Sequence, residues 1–255
     1  MLTQKYVKKL VEIICSYGDK YIQKYLNARY LKELYFIKCE KLRDDLWEAL
    51  KFFFRCTLFQ GRRDEVSMKV YKRVVEILEK KVKQEVNLID VKSELRRNIG
   101  KGKVGKGRDV DLVMDTLQRF KNKNLVSYSI NKISLKRIRE LYEELRSITG
   151  VGQKTASLFL RDLVYLFRLE DKVSERDVVY LQPIDTWVRK GLEKLLKLKG
   201  SEEELKKKVA KVLRKYSISV RDSIKFNMGL WYIGSHAYDL LISSILTQAC
   251  SEQNF

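Results

Sequence analysis

Apolar residues recur along most of this chain with the spacing of helix faces rather than the alternation of strands. The stretch 44–59 is the most apolar and predicts a helix for the centre of a core. The segment after it places Val70, Val74 and Leu78 on one side, which predicts an amphipathic helix. A single proline, Pro183, interrupts the 255 residues. The pattern therefore predicts an all-α protein.

Further helices are predicted on both sides of this region. They cover parts of 2–40, 83–97, 110–120, 135–168, 186–197, 201–216 and 221–249. Between two of them, residues 99–108 (IGKGKVGKGR) form a basic, glycine-rich loop. It matches part of a nucleotide-binding P-loop, but Gly107 stands where the Mg²⁺-binding Ser or Thr belongs and no strand precedes it. A loop over the DNA backbone and an untethered solvent loop both remain open.

The charge of the chain narrows the choice of partner. Lysine and arginine number 53 against 33 acidic residues, which gives a formal net charge of +20 and a pI near 9.7. Such a one-sided excess predicts a polyanionic partner, with nucleic acid first. Heat adaptation is the alternative, but it enriches both signs of charge.

Cysteine and histidine usage bears on compartment and metal chemistry. Cys15, Cys39, Cys56 and Cys250 lie far apart without a CxxC pair, which predicts free thiols in a reducing compartment. The single histidine, His236, is expected at a helix start and argues against a zinc site. No secretory signal or membrane-length apolar run is present. We therefore expect a soluble, intracellular protein of the cytoplasm or nucleoid, without a membrane partner.

One short segment carries most of the functional information. Residues 148–156 read ITGVGQKTA and lie between two amphipathic segments. Gly150 and Gly152, one residue apart, predict a tight turn with positive φ and outward-facing amides. Such a turn beside a helix N-terminus is a natural phosphate site. Lys154 follows the turn, and Asp185 in PIDTWV lies 31 residues further along the chain.

ITGVGQKTA resembles the hairpin of the helix-hairpin-helix DNA glycosylases, the HhH-GPD superfamily. The resemblance implies two helical lobes flanking a DNA-binding cleft. Residues 45–170 would be the middle lobe, and 1–44 plus 171–255 a discontinuous one. It also implies that the hairpin residues contact DNA, namely Gly150, Val151, Gly152 and Thr155.

In that superfamily a hairpin lysine marks the branch that forms a Schiff base with the damaged nucleotide. Lys154 matches this nucleophile, and Asp185 matches the catalytic aspartate that accepts a proton or stabilises charge as the base leaves. Taken singly, Lys154 would be a solvated phosphate contact and Asp185 a helix N-cap, a role compatible with catalysis. Many members have a shorter interval between these residues. The long interval between Lys154 and Asp185 resembles that of the archaeal 8-oxoguanine glycosylases.

The segment FNMGLWYIG (226–234) is similar to a base-binding segment of the same group. There an aromatic residue stacks on the extruded purine, and a polar residue one helical turn earlier contacts it. Trp231 and Asn227 match these positions, although the group carries an acidic residue at the second. Pro183, shortly before Asp185, is expected beside the substrate. The alternative for Trp231 is an ordinary core position.

A second stretch suggests which side chain would fill the gap that an extruded nucleotide leaves in the duplex. LFQGRRDEV (58–66) resembles a loop of the endonuclease III-like glycosylases in which a glutamine enters the helix. Gln60 matches this glutamine, although the loop here is one residue longer than in that pattern. Arg62 and Arg63 are expected phosphate contacts. The alternative for Gln60 is a polar residue at a helix C-terminus.

The resemblance implies a monomeric DNA glycosylase with lyase activity that excises 8-oxoguanine from damaged DNA and cleaves the strand by β-elimination. No metal or cofactor is implied. The iron–sulfur cluster of some members is not expected, because the C-terminal tail holds only Cys250. The alternatives are an oxidised-pyrimidine, endonuclease III-like glycosylase and a non-catalytic helix-hairpin-helix protein that only binds DNA.

Overall fold

The computed structural model describes residues 3–59, 63–82, 88–99, 107–120 and 122–251. Within these ranges every regular element is helical, so the all-α prediction is confirmed. The α-helices are α1 (Gln4–Tyr21), α2 (Ala28–Tyr35), α3 (Leu46–Thr57), α4 (Asp64–Val82), α5 (Leu88–Ile99), α6 (Gly107–Phe120), α7 (Leu125–Ser134), α8 (Ile138–Arg146), α9 (Gln153–Leu166), α10 (Thr186–Leu196), α11 (Glu202–Lys215) and α12 (Val220–Ser251). A π-helical turn, Ile22–Leu26, follows α1, and short 3₁₀ segments lie at Cys39–Lys41, Glu170–Lys172 and Asp177–Leu181.

Two local features of the sequence were misjudged. Helix α7 was not predicted, because its sequence LVSYSINKIS is rich in serine and β-branched residues that favour helices weakly. Its start is stabilised by Asn124, whose side chain accepts from the Ser127 amide at 2.9 Å and donates to the Leu42 and Asp45 carbonyls. The placement of His236 at a helix start is wrong, since it lies in the middle of α12.

The chain divides into two compact units, and both are discontinuous. Unit 1 consists of Met1–Asn27, Lys132–Tyr142 and Leu160–Phe255. Unit 2 consists of Ala28–Asn131 and Glu143–Phe159. The sequence-based division placed 45–170 in one lobe, whereas unit 2 begins earlier and excludes 132–142. Helices α7, α8 and α9 contribute residues to both units.

In unit 1 the helices α1 and α12 lie against one another at close range. A Cβ added at Gly229 would stand 2.0 Å from the carbonyl oxygen of Ile14, so only glycine permits this approach. Leu10 and Ile14 of α1 and Phe226 and Leu230 of α12 are buried in the core here. Helix α10 packs on the same long helix through Val188, Leu192 and Leu195.

Unit 2 has α3 at its centre, as the apolar run predicted. Asp45 is its N-cap and accepts from the amides of Trp47 and Glu48 at 2.7 and 3.2 Å. The three phenylalanines Phe52–Phe54 are fully buried. Phe159 of α9 contacts Phe53 edge to face, with ring centroids 5.1 Å apart. The first turns of α9 are therefore anchored in this core.

The three cysteines whose side chains are described carry free thiols, as expected. Burial raises the pKa of Cys15 to about 12 and that of Cys39 to about 11. No helix among the described ranges is long and apolar enough to cross a membrane. In that same part of the chain, no three His, Cys, Asp or Glu side chains cluster as metal ligands.

Candidate functional site

The turn 147–152 joins α8 to α9 in unit 2 and holds the glycines singled out above. Gly150 has φ of +81°, and a Cβ there would meet the Leu112 side chain at 3.2 Å. Gly152 does not adopt positive φ, and a Cβ there would meet nothing within 4 Å. The predicted tight turn with positive φ is therefore confirmed, and Gly150 is the residue that adopts this conformation.

Helix α9 starts at this turn, with its N-terminus exposed at Gly152. The Gly152 carbonyl accepts from the Ala156 amide at 3.0 Å, which makes Gly152 the N-cap. The first amides of a helix lack intrahelical partners, and no acidic side chain occupies this first turn. Val151 and Thr155 are buried, so a ligand at the turn would meet their backbone atoms rather than their side chains.

Helix α6 braces the turn through two charged residues. The Asp115 carboxylate accepts from the Thr149 amide at 2.7 Å and from the Thr149 hydroxyl at 2.9 Å. Arg119 donates to Asp115 at 2.7 Å and to the Ser147 hydroxyl and carbonyl at 2.8 and 2.9 Å. Burial alone would raise the pKa of Asp115, but the hydrogen bonds from Arg119 and Thr149 outweigh it and lower that pKa. The turn is thus held by a charged carboxylate.

Lys154 lies one residue after the start of α9 and is half-buried. Among the described residues of unit 2, none forms an ion pair or a hydrogen bond with its ammonium group. Arg63, the described member of the predicted basic pair, is exposed just before α4, and its carbonyl accepts from the Val66 and Ser67 amides. Gln60 and Arg62 lie outside the described residues, as does 100–106 of the basic loop.

The two turn glycines provide a matched test of this local geometry. Gly150→Ala should destabilise the protein by about 1–2 kcal/mol, because an L-residue is strained at positive φ and its methyl would press on Leu112. Gly152→Ala should change stability by less than about 1 kcal/mol, since its site is open. Urea unfolding of the two variants measures both effects. Equal losses would contradict the assigned turn conformation.

Asp185 lies in unit 1 as the N-cap of α10. Its Oδ1 accepts from the Val188 amide at 2.8 Å, and its backbone is extended. No other hydrogen bond reaches the carboxylate from the described residues of its unit, which leaves Oδ2 available. The preceding Pro183 and Ile184 are buried. The N-cap role considered for Asp185 is therefore confirmed, and its carboxylate is only partly buried.

An aromatic cluster in unit 1 surrounds Trp231. Its ring centroid lies 5.4 Å from that of Tyr21 and 5.3 Å from that of Tyr25, both edge to face. Tyr25 belongs to the π-helical turn after α1, a type of distortion that is frequent at functional sites. Trp231 remains half-exposed, so part of its surface is accessible to a ligand.

Asn227 lies one helical turn before Trp231 and is buried. Both the oxygen and the nitrogen of its side-chain amide form hydrogen bonds. Its Oδ1 accepts from Arg161 at 2.8 Å, and its Nδ2 donates to the Pro183 carbonyl at 3.1 Å. The structure thus joins two of the predicted substrate residues, Asn227 and Pro183, by a direct hydrogen bond. In this state the amide faces protein partners.

A buried polar network that the sequence did not predict lies behind this bond. Arg161 and Asp162 form an ion pair at 2.8 Å and are 2% and 0% exposed. Arg161 also donates to the Tyr21 hydroxyl at 2.8 Å. The sequence feature that could have indicated this ion pair is the adjacent Arg and Asp within the otherwise apolar stretch SLFLRDLVYLF (157–167). Such a pair is seldom fully buried unless its partners satisfy it.

Comparisons with known proteins give limited guidance. No protein-family profile matches the chain, and no solved structure matches it. A 76-residue segment is 42% identical to Uncharacterized protein MJECL21 of Methanocaldococcus jannaschii. That segment is 30% of this chain but only 17% of the archaeal protein.

Proposed function

We propose that this protein is a helix-hairpin-helix DNA glycosylase with lyase activity, which excises 8-oxoguanine and cleaves the strand by β-elimination. The observation that carries the proposal is the braced turn before α9, which presents Lys154 without an ion-pair partner from the described residues of its unit. Lys154 is half-buried beside the exposed N-terminus of α9.

The turn supplies the DNA contact. The exposed backbone at Gly152 and the positive end of α9 suit a phosphate group, and no acidic side chain competes in the first turn. The brace from Asp115 and Arg119 fixes the turn before DNA arrives, which lowers the entropy cost of binding. A net charge of +20 adds attraction that does not depend on sequence.

Lys154 would act as the nucleophile. Its neutral amine attacks C1′ of the extruded nucleotide, a C–N bond forms, and the glycosidic bond breaks as the base leaves with the bonding electrons and takes up a proton. Opening of the sugar ring gives the Schiff base. Loss of a C2′ proton then expels the 3′-phosphate and cleaves the strand.

Asp185 would serve as the carboxylate of this reaction. Its Oδ1 is fixed by the Val188 amide, and Oδ2 is available to accept the proton that Lys154 releases or to stabilise positive charge on the sugar. The N-cap role and the catalytic role of Asp185 are compatible, since capping holds the carboxylate in one orientation.

Substrate choice is proposed from the aromatic cluster. Trp231, supported by Tyr21 and Tyr25, offers a broad aromatic surface that suits a bicyclic purine better than a pyrimidine. An oxidised-pyrimidine glycosylase is the alternative within the superfamily. A non-catalytic DNA-binding protein is the second candidate, and the N-cap bond of Asp185 favours it, because that bond alone gives the residue a structural role.

The test is a panel of duplexes carrying 8-oxoguanine, thymine glycol or uracil, incubated with wild-type protein with and without borohydride. We expect base release, strand cleavage and a covalently trapped complex on 8-oxoguanine above all. Preference for thymine glycol would select the pyrimidine alternative. Duplex binding with no release or trapping on any lesion would select the non-catalytic protein.

A further inference from the structure

Two buried side chains, Arg161 and Asn227, lead from α9 to the segment before Asp185. Arg161 donates through Nη1 to Asn227 Oδ1, and Asn227 donates through Nδ2 to the Pro183 carbonyl, at 2.8 and 3.1 Å. The remaining donors of Arg161 contact Asp162 at 2.8 and 3.0 Å and the Tyr21 hydroxyl at 2.8 Å. All of these residues belong to unit 1.

The chemistry of the guanidinium determines the orientation of Asn227. A guanidinium has only donors, so the amide oxygen must face Arg161 and the amide nitrogen must face Pro183. Burial alone would lower the pKa of Arg161, but Asp162 outweighs it and raises that pKa, so the group stays charged. Asn227 is 1% exposed, so its amide is shielded from bulk solvent.

Pro183 is the anchor point of the segment that carries the proposed catalytic carboxylate. Its carbonyl lies two residues before Asp185, and the intervening Ile184 is buried in the core of unit 1. Asp185 then adopts the extended conformation of an N-cap and is held by the Val188 amide. A fixed carbonyl on one side and a fixed helix on the other leave this carboxylate little freedom.

We propose that Arg161 and Asn227 are positioning residues, which orient Asp185 through the Pro183 carbonyl. The importance of Asp185 rests on the proposed function. The statement that Arg161 and Asn227 fix its position does not. It also differs from the expectation that Asn227 contacts the excised base directly. In the proposed arrangement Asn227 acts on the protein backbone and never touches the substrate.

Asn227→Asp isolates the bond in question. The new carboxylate has nearly the same shape and still accepts from Arg161, but beside a guanidinium it is ionised and cannot donate to Pro183. We expect kcat for base release to fall about 10- to 100-fold, with KM and duplex affinity nearly unchanged. A direct base contact would instead appear mainly in KM.

Amide hydrogen exchange provides a readout independent of activity. The Val188 amide, which donates to Asp185, should exchange faster in Asn227→Asp than in wild type. The Glu204 amide is the matched control, because it donates to Ser201 in the N-cap of α11 in the same unit. Its exchange should not change. Asn227→Ser, which is uncharged and too short to reach both partners, replaces Asn227→Asp if the latter does not fold.

Each outcome decides the inference. Faster exchange at Val188 alone, together with lower kcat, supports positioning. Unchanged exchange at Val188, equal loss of protection at Val188 and Glu204, or an effect confined to KM would overturn it. If wild-type protein excises no lesion, the proposed function fails, yet the comparison of Val188 with Glu204 still shows whether this network holds the Asp185 segment.

Discussion

The Lys154→Ala variant should give no borohydride-trapped complex with 8-oxoguanine duplexes, while wild-type protein gives one. Trapping requires a C–N bond between the lysine and C1′, and alanine has no amine to form it. Base release should fall by at least about 1,000-fold, as is usual when a covalent nucleophile is removed. Folding should be preserved, because the ammonium has no ion-pair partner among the described residues of unit 2.

A matched control separates chemistry from electrostatics. Lys69→Ala removes one exposed lysine from α4 of the same unit and should leave trapping intact. If Lys154 were only a phosphate contact, its alanine variant would reduce the salt dependence of binding by about one charge. Trapping would then persist at saturating protein. Undiminished trapping by Lys154→Ala would eliminate the Schiff-base mechanism.

Helix positions were predictable wherever a strong apolar period met clear end signals. The helix α3 follows such a pattern, with Asp45 as its cap and the three phenylalanines inside. Helix α7 has a capping residue, Asn124, but its serine-rich sequence favours a helix weakly, and the same cap also donates to the Leu42 and Asp45 carbonyls, about 80 positions away in sequence. Tertiary hydrogen bonds of this kind override weak helix propensity.

In the candidate site too, residues of short motifs were predictable, whereas residues that depend on partners distant in sequence were not. The turn glycines, Lys154 and Asp185 belong to short linear motifs and were identified as such. The network around Arg161 was not, because its partners Asn227 and Tyr21 lie 66 and 140 positions away. An arginine inside an apolar helix signals a buried partner, but the sequence does not say which residue supplies it. Only the fold reveals that the partner leads to Pro183.

The second large effect is expected for Asp185→Asn. Asparagine caps helices as well as aspartate, so the bond to the Val188 amide should persist and stability should change by less than about 1 kcal/mol. The amide cannot accept a proton or carry negative charge. Base release should therefore fall about 100-fold or more while duplex binding remains. Single-turnover kinetics on an 8-oxoguanine duplex, together with urea unfolding, measures both quantities.

The structure supplies a matched substitution for this test. Asp45 caps α3 in unit 2 with the same kind of side-chain bond, so Asp45→Asn makes an identical chemical change at a helix start. It should alter neither base release nor binding. Asp185→Ala removes both cap and carboxylate and should cost about 1 kcal/mol in addition to activity. If Asp185→Asn releases base at the wild-type rate, the residue is a cap alone and another group must accept the proton of Lys154.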